Sequence, residues 1–173
     1  MANCALTQDY SFGCDIGTGG TKELWLIETA NIVTLTESSG TITAITKATG
    51  KVFRKYQLVL ETANWEENIV GNRTNGTVYY DQKGVVIINK QQVAIRNEMK
   101  LLAMNLLTVI IHDNNDTYRL YGRSNGLRLE TGTITTGTAW GDRNGYTFNF
   151  TGKEADPAPF VDPTIIATLQ TPG

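Results

Sequence analysis

Apolar residues recur at Ile95, Met99, Leu102 and Leu106, with Ala103 beside them, which is the spacing of one face of an α-helix. A single apolar stripe needs a cover, and the pattern that follows supplies one. From Leu107 the chain becomes densely β-branched, Thr108 to Ile111, before Asp113, Asn114, Asn115 and Asp116 turn it into Thr117 to Tyr121. The stretch Asn97 to Gly126 therefore predicts a helix lying against a β-body. No other segment carries so clear a helical period, so the chain reads as a β-protein with this helix as a plug.

The strand patterns differ in what they ask of their surroundings. Leu24 to Ile27, LWLI, is the continuous apolar run of a strand buried on both faces. Thr34 to Glu37 and Thr41 to Thr46, around Ser38, Ser39 and Gly40, predict a Thr-rich hairpin that faces solvent. Val52 to Glu61 predicts a long strand with Lys55, Gln57 and Glu61 on one face and Tyr56, Leu58 and Leu60 on the other. Trp65 to Asn75 then reads as a polar loop closing on Asn75-Gly76, with Val78 to Ile88 returning as a second long strand. Ten extended residues span about 33 Å, so this hairpin is expected to stand taller than the body and to pair outside the subunit. Asn125-Gly126 and Asn144-Gly145 predict two more tight turns on either side of Leu127 to Ile134.

The clearest strand is Tyr146 to Thr151. Tyr146, Phe148 and Phe150 point one way, to a core beneath the helix stripe, while Thr147, Asn149 and Thr151 point the other. Burying the three rings contributes about 5 kcal/mol. The expected core is Met99, Leu102, Leu106, Tyr146, Phe148 and Phe150. Residues 1–20 are expected to form an extended arm ending in Gly17, Thr18, Gly19, Gly20, and residues 156–173, with Pro157, Pro159, Pro163, Ile165 and Ile166, an extended tail that lies along something else. There is no internal repeat or linker, so residues 1–173 are expected to be one domain.

Composition narrows the functional classes. A formal net charge of -2 and a pI near 5.4, with 15 scattered Lys and Arg, argue against a nucleic-acid binder. No apolar run approaches the roughly 18 to 20 residues that cross a membrane, and MANCALTQDY lacks the charged and apolar regions of a secretory signal, which predicts a chain made and matured in a cytoplasm. Cys4 and Cys14 are then expected to be reduced and unligated. The N-x-T sequons at Asn72, Asn75, Asn115 and Asn149 follow from an Asn- and Thr-rich sequence.

Candidate chemistry is sparse. Asp15 to Lys22, DIGTGGTK, resembles the first phosphate loop of the actin and sugar-kinase superfamily, yet it follows no apolar strand and reads better as a Gly-rich turn; it also lacks the Gly-Lys-Ser/Thr order of a Walker loop. The lone His112 has no nucleophile beside it in sequence, and Asp113 with Asp116 reads as a turn, without the spaced ligands of a calcium loop. Glu66, Glu67 and Asp142 are isolated in sequence. The chain is expected to be no enzyme and to need no cofactor or metal. Trp65, Glu66, Glu67, Ile69, Val70 and Arg73 instead look like a docking surface, because an apolar loop standing clear of the body is costly to expose; the alternative is that Trp65 folds back over its own sheet.

KLLAMNLLTVIIHDNND, then YRLYGRSNGL, then TGTAWGDRNGYTFNFTGKEADPAPFV together resemble the tail tube proteins of tailed bacteriophages, whose fold is shared with the tube proteins of secretion and contractile injection machines. The resemblance covers Glu98 to Val161 and rests most on Gly141, Asp142, Gly145, Tyr146, Phe150, Gly152 and Glu154. It implies a mainly β fold, a small sandwich or barrel with one flanking helix, in a structural virion protein that forms hexameric rings stacked into the tail tube, assembled in the host bacterial cytoplasm, with other tail proteins as partners. Long hairpins would join in a multi-subunit barrel through which DNA passes without specific binding. It further implies that Lys55, Gln57, Glu61, Tyr79 and Asp81 lie on tube-lining or inter-subunit strands, and that the Trp65 loop reaches the adjacent ring. A neck or tail-terminator ring protein of the same fold is the nearest alternative. A carbohydrate-binding sandwich using Trp25, Trp65 and Trp140, and a small phosphate-binding enzyme built on DIGTGGTK, are the others.

Overall fold

The computed structural model describes residues 6, 8–11, 13–14 and 16–173. Cys4 and Asp15 lie outside them. Eleven strands make two sheets with one helix alongside. The chain runs through β1 (Thr21–Glu28), β2 (Ile32–Ser38), β3 (Thr41–Lys47), β4 (Arg54–Gln57), β5 (Ala63–Asn72), β6 (Thr77–Asn89), α1 (Val93–Met104), β7 (Leu107–Asp113), β8 (Tyr118–Tyr121), β9 (Arg128–Thr135), β10 (Gly145–Glu154) and β11 (Phe160–Val161), with a 3-10 turn at Pro163–Thr168. One sheet has the order β2-β3-β11-β8-β7-β1-β4, the other β5-β6-β10-β9. The expectation of a sandwich with a flanking helix holds.

Strand β1 explains how the sheets are filled. Leu24 and Leu26 enter the core between the sheets with Val86, Val109, Tyr121, Tyr146, Phe148 and Phe150. Trp25 and Ile27 enter a second cluster on the opposite face with Ile42, Phe53, Ile110, Leu120, Val161 and Leu169. Both faces of the strand are therefore dry, as its unbroken apolar run requires.

Helix α1 lays Ile95, Met99 and Leu102 onto the first core. Here the expected stripe is one residue too long. The helix ends at Met104 and Asn105 is extended (φ -110, ψ 155), with its Nδ2 donating to the Leu101 carbonyl at 2.8 Å. The chain leaves the helical path, Leu106 is 41% exposed, and Leu107 is buried in its place.

Four further expectations are corrected. The strand expected over Val52 to Glu61 is only Arg54–Gln57, and Glu61 sits at a left-handed φ of 62 outside it. The expected polar loop Trp65 to Asn75 is mostly β5, so the long hairpin is β5–β6, closed by a turn in which Asn72 Oδ1 accepts from the backbone N–H of Thr74 and Asn75. The Thr-rich hairpin does turn at Ser39 and Gly40, both at positive φ, but Ile42 is fully buried, with Leu35 and Ile45 against the second cluster, so one of its faces is core. The tail does not wait for a partner: β11 pairs with β3 and β8, and Leu169 is buried. Lys47 Nζ holds that tail by donating to the carbonyls of Thr168, Leu169 and Thr171.

The Asn-Gly pairs also serve other ends. Gly145 is a buried member of β10, opposite Asn89, and its backbone lies against Ile88 where no Cβ would fit. The β9–β10 connection is instead Thr136 to Asn144, with Gly137 at φ 72. Asn125-Gly126 lies between β8 and β9, which belong to different sheets.

Candidate assembly surface

The four-stranded sheet presents two faces of opposite character. Toward the core it points Trp65, Gly84, Val86, Tyr146, Phe148 and Phe150. The alternate positions form an outer face of hydroxyls, amides and mixed charges, among them Asn64, Glu66, Asn68, Asp81, Lys83, Thr147, Asn149, Thr151 and Lys153. Asn149 Nδ2 donates to Thr131 Oγ1 at 2.8 Å, and Lys83 pairs with Asp81 at 3.2 Å. Val70, Tyr79, Val85 and Ile87 share this face, Val85 exposed and the other three half-buried, set among these polar and charged neighbours.

The two outermost strands of this sheet, β5 with ten residues and β9 with eight, pair on one side only. Free ladders of this length attract other strands unless they are blunted. Neither contains a proline, and β9 carries one bulge, at Glu130 between the Thr131–Asn149 and Leu129–Phe150 pairs. Strand β5 is held rigid from within. Glu67 Oε1 accepts from Gln82 Nε2 at 2.8 Å and from the Ala158 N–H at 2.9 Å, while Gln82 Oε1 accepts from the Gly122 N–H at 2.9 Å. This buried network ties β5 and β6 to the other sheet and to the tail, so the edge is presented with its geometry fixed.

The residues expected to dock or to line a conduit are dispersed by the fold. Trp65 does not protrude. Its ring stacks 6.0 Å from Phe150, lies 5.3 Å from Tyr121 and covers Gly84, so it closes its own sheet. Glu67 points inward with it. Glu66 is on the outer face, and Ile69 and Arg73 remain exposed toward the hairpin tip, with Val70 half-buried there. Tyr79 and Asp81 lie on the outer face of β6, where Lys153 approaches the Tyr79 ring at 5.2 Å. Lys55 and Gln57 belong to the other sheet: Lys55 pairs with Glu23 at 2.7 Å and sits over the Trp25 ring at 5.3 Å. Glu61 is in a turn and belongs to neither sheet. What sequence reading missed is the edge role of β5 and β9, for which strand order was needed.

Other chemistry finds little to build on. Trp25 is 3% exposed and Trp65 is turned inward, which leaves Trp140 alone of the three as a possible sugar platform. In the Gly-rich segment the Thr18 N–H donates to Asn115 Oδ1, Asn114 Nδ2 donates to the Gly19 carbonyl, and Lys22 pairs with Asp116, so the loop is clasped by the β7–β8 turn. In that turn burial pushes the Asp113 carboxyl up, but bonds from the Thr117 N–H and hydroxyl and from Asn115 outweigh it and hold the group below the usual carboxylate range. His112 lies 4.3 Å from the Tyr118 ring centre and 3.0 Å from Asp116, inside a stack with no hydroxyl nucleophile aligned to it. The groove beside α1 gathers Arg54, Tyr56 and Glu98, and burial with the nearby Glu98 charge pushes the Tyr56 hydroxyl up to about 12. Among the described residues no group of His, Cys, Asp and Glu side chains is arranged to hold a metal, and Cys14 is an exposed free thiol. Comparison with protein-family models, curated proteins and solved structures finds no match.

Proposed function

We propose that the protein is a self-assembling structural subunit of a tail tube, in which copies join edge to edge through β5 and β9 into a closed ring. The observation that carries this is the four-stranded sheet with two long unpaired edges and an outer face on which polar and charged residues outnumber apolar ones. Its neighbours are all antiparallel, so β9 of one copy against β5 of the next continues the alternation without reversing any strand. Closure removes both free edges, which is how barrels escape uncontrolled pairing. The core-side rings then stay inside each subunit, and the Thr- and Asn-rich face turns to the water-filled lumen.

This lumen suits passage of a polyanion more than its capture. Lys83, Arg128 and Lys153 are interspersed with Glu66 and Asp81, and a duplex held by base or phosphate contacts would need a continuous basic track. The resemblance of Glu98 to Val161 to tail tube proteins adds the hexameric ring, the stacking and the role in DNA ejection. The fold also suits a neck or terminator ring, and the station along a tail is read from the length of the assemblies: unlimited stacking belongs to a tube, single rings to a terminator.

Negative-stain microscopy and sedimentation of the full chain at micromolar concentration test the reading. Rings with a central hole, alone or stacked, are expected. A compact monomer at every concentration, salt and pH tried would remove it.

A further inference from the structure

The β5–β6 hairpin runs past the end of the sandwich. Strand β10 accompanies β6 only as far as Glu154, opposite Tyr80, so Thr77, Val78 and Tyr79 have β5 alone beside them. On the face that lower down carries Trp65, Gly84 and Val86, this overhang carries Ile69, Gly71, Val78 and Tyr80. There the second sheet no longer covers it. Ile69 is 72% and Val78 60% exposed, whereas Val86 on the same face is 2% exposed. An apolar core face has been extended beyond its own cover.

At the other end of the same sheet stands the β9–β10 loop, Thr136 to Asn144. It is built rather than slack. Asp142 Oδ2 accepts from the backbone N–H of Thr138 and Ala139, and the Asp142 N–H donates to the Ala139 carbonyl at 3.0 Å. Gly137 turns at φ 72 against Asp142. The loop holds Trp140 completely in solvent, and Ile134, near the end of β9 that leads into it, is 53% exposed. The backbone under the indole is already ordered by these bonds, so contact costs the rotamer freedom of one aromatic side chain and no ordering of the loop, which suits an interface anchor.

We infer that Trp140 of one copy seats against Ile69, Val78 and Tyr80 of a second copy, head to tail along the sheet axis. The occupant follows from placement. The two apolar patches lie at opposite ends of one sheet, so they meet only between copies set end to end, and each contact leaves a fresh patch at both ends for the next copy. Charge agrees: Arg73 is the one charged side chain of the hairpin turn, and Asp142 keeps its second oxygen uncommitted while Arg143 is occupied with Thr147 at 2.7 Å. The inference deepens the ring reading by naming the contact that stacks one ring on another.

The test uses the full chain. Trp140→Ser removes a side chain with no contact inside the subunit, so its thermal midpoint should match the parent; the expected result is single rings with loss of all taller stacks. Stacks of parental length from Trp140→Ser overturn the inference and leave ring closure standing. A second measurement is independent of rings: on a Cys4→Ser, Cys14→Ser background, Gly71→Cys with Ala139→Cys should give a ladder of disulfide-linked multimers on mild oxidation, while either cysteine alone gives at most dimers. If the parent forms no rings the ring reading fails, and the ladder alone then decides: its presence upholds the end-to-end contact, its absence sinks it.

Discussion

Trp65 and Gly84 face each other across the β5–β6 ladder, and the indole occupies the volume that any Cβ on Gly84 would need. Gly84 is thus defined by the ring above it. Gly84→Val is expected to cost about 1–3 kcal/mol by overpacking, read as a lowered thermal midpoint. Pairing it with Trp65→Ala should recover part of that loss, because the new side chain then fills space the ring has vacated. A double variant as unstable as the sum of the two would show that the ring and the glycine are not coupled.

Since Ala63–Asn72 is a strand with an inward tryptophan and an inward carboxylate, replacing Thr62 to Asn75 with a short Gly-Asn turn should abolish folding. Loss of the sharp transition in thermal or urea unfolding is the expected result. A folded, ring-forming product would mean that β5 is an appendage.

Phe148 is buried at the centre of the aromatic face and Thr147 beside it is on the outer one, bonded only by Arg143. Phe148→Ala is expected to cost about 3–5 kcal/mol. Thr147→Ala should cost under about 1 kcal/mol in the isolated subunit. Equal losses in urea titrations would contradict the register observed for β10.

Acid should loosen the β7–β8 turn. The unfolded chain protonates Asp113 near the ordinary value of 3.8, while the folded turn resists, so below that pH the unfolded state holds more protons and stability falls as pH falls. Asp116, Asp142 and Asp162 are depressed likewise and share the slope. Asp113→Asn should flatten the decline relative to the parent between the ordinary carboxylate range and more acid solution; parallel curves would remove Asp113 from the account.

Alkali acts through Tyr56. Its folded value near 12 lies above the ordinary 10, so between those values the unfolded chain has lost a proton that the folded chain keeps, and stability is full below pH 10 and declines toward pH 12. Tyr56→Phe should reduce that decline. Ultraviolet titration of the phenols should show one fewer late-ionising tyrosine in the variant.

Strand β10 was legible because its rings and polar residues alternate from Tyr146 to Thr151, and the β7–β8 turn because Asp113 to Asp116 leaves few alternatives. Strand β5 was not. Glu67 interrupts the apolar side of its alternation, and only the partners supplied by Gln82 and Ala158 explain a carboxylate there. Leu60 prolonged the apparent β4: Leu58 still bonds to the Lys22 carbonyl of β1 and packs on the first core, but the turn through Glu61 leaves Leu60 in solvent. The tail hid its role because Val161 and Leu169 are too far apart to form a period and meet only through the second cluster. The assembly edges were invisible for a more general reason: which strands end a sheet is a property of the order β5-β6-β10-β9, and no local pattern encodes it.

A strand that is greasy on both sides has nothing in its polarity to stop it sliding. Moving β1 by one residue would exchange Leu24 and Leu26 for Trp25 and Ile27 and still keep every side chain dry. Size and charge therefore set the alignment: the indole has its place under Lys55, Glu23 must reach that same lysine, and the irregularity between Thr21 and Glu23 pins the end beside Asp113. Trp25→Leu removes the one side chain too large to be misfiled, and what it puts at risk is less the energy of the native state than its uniqueness.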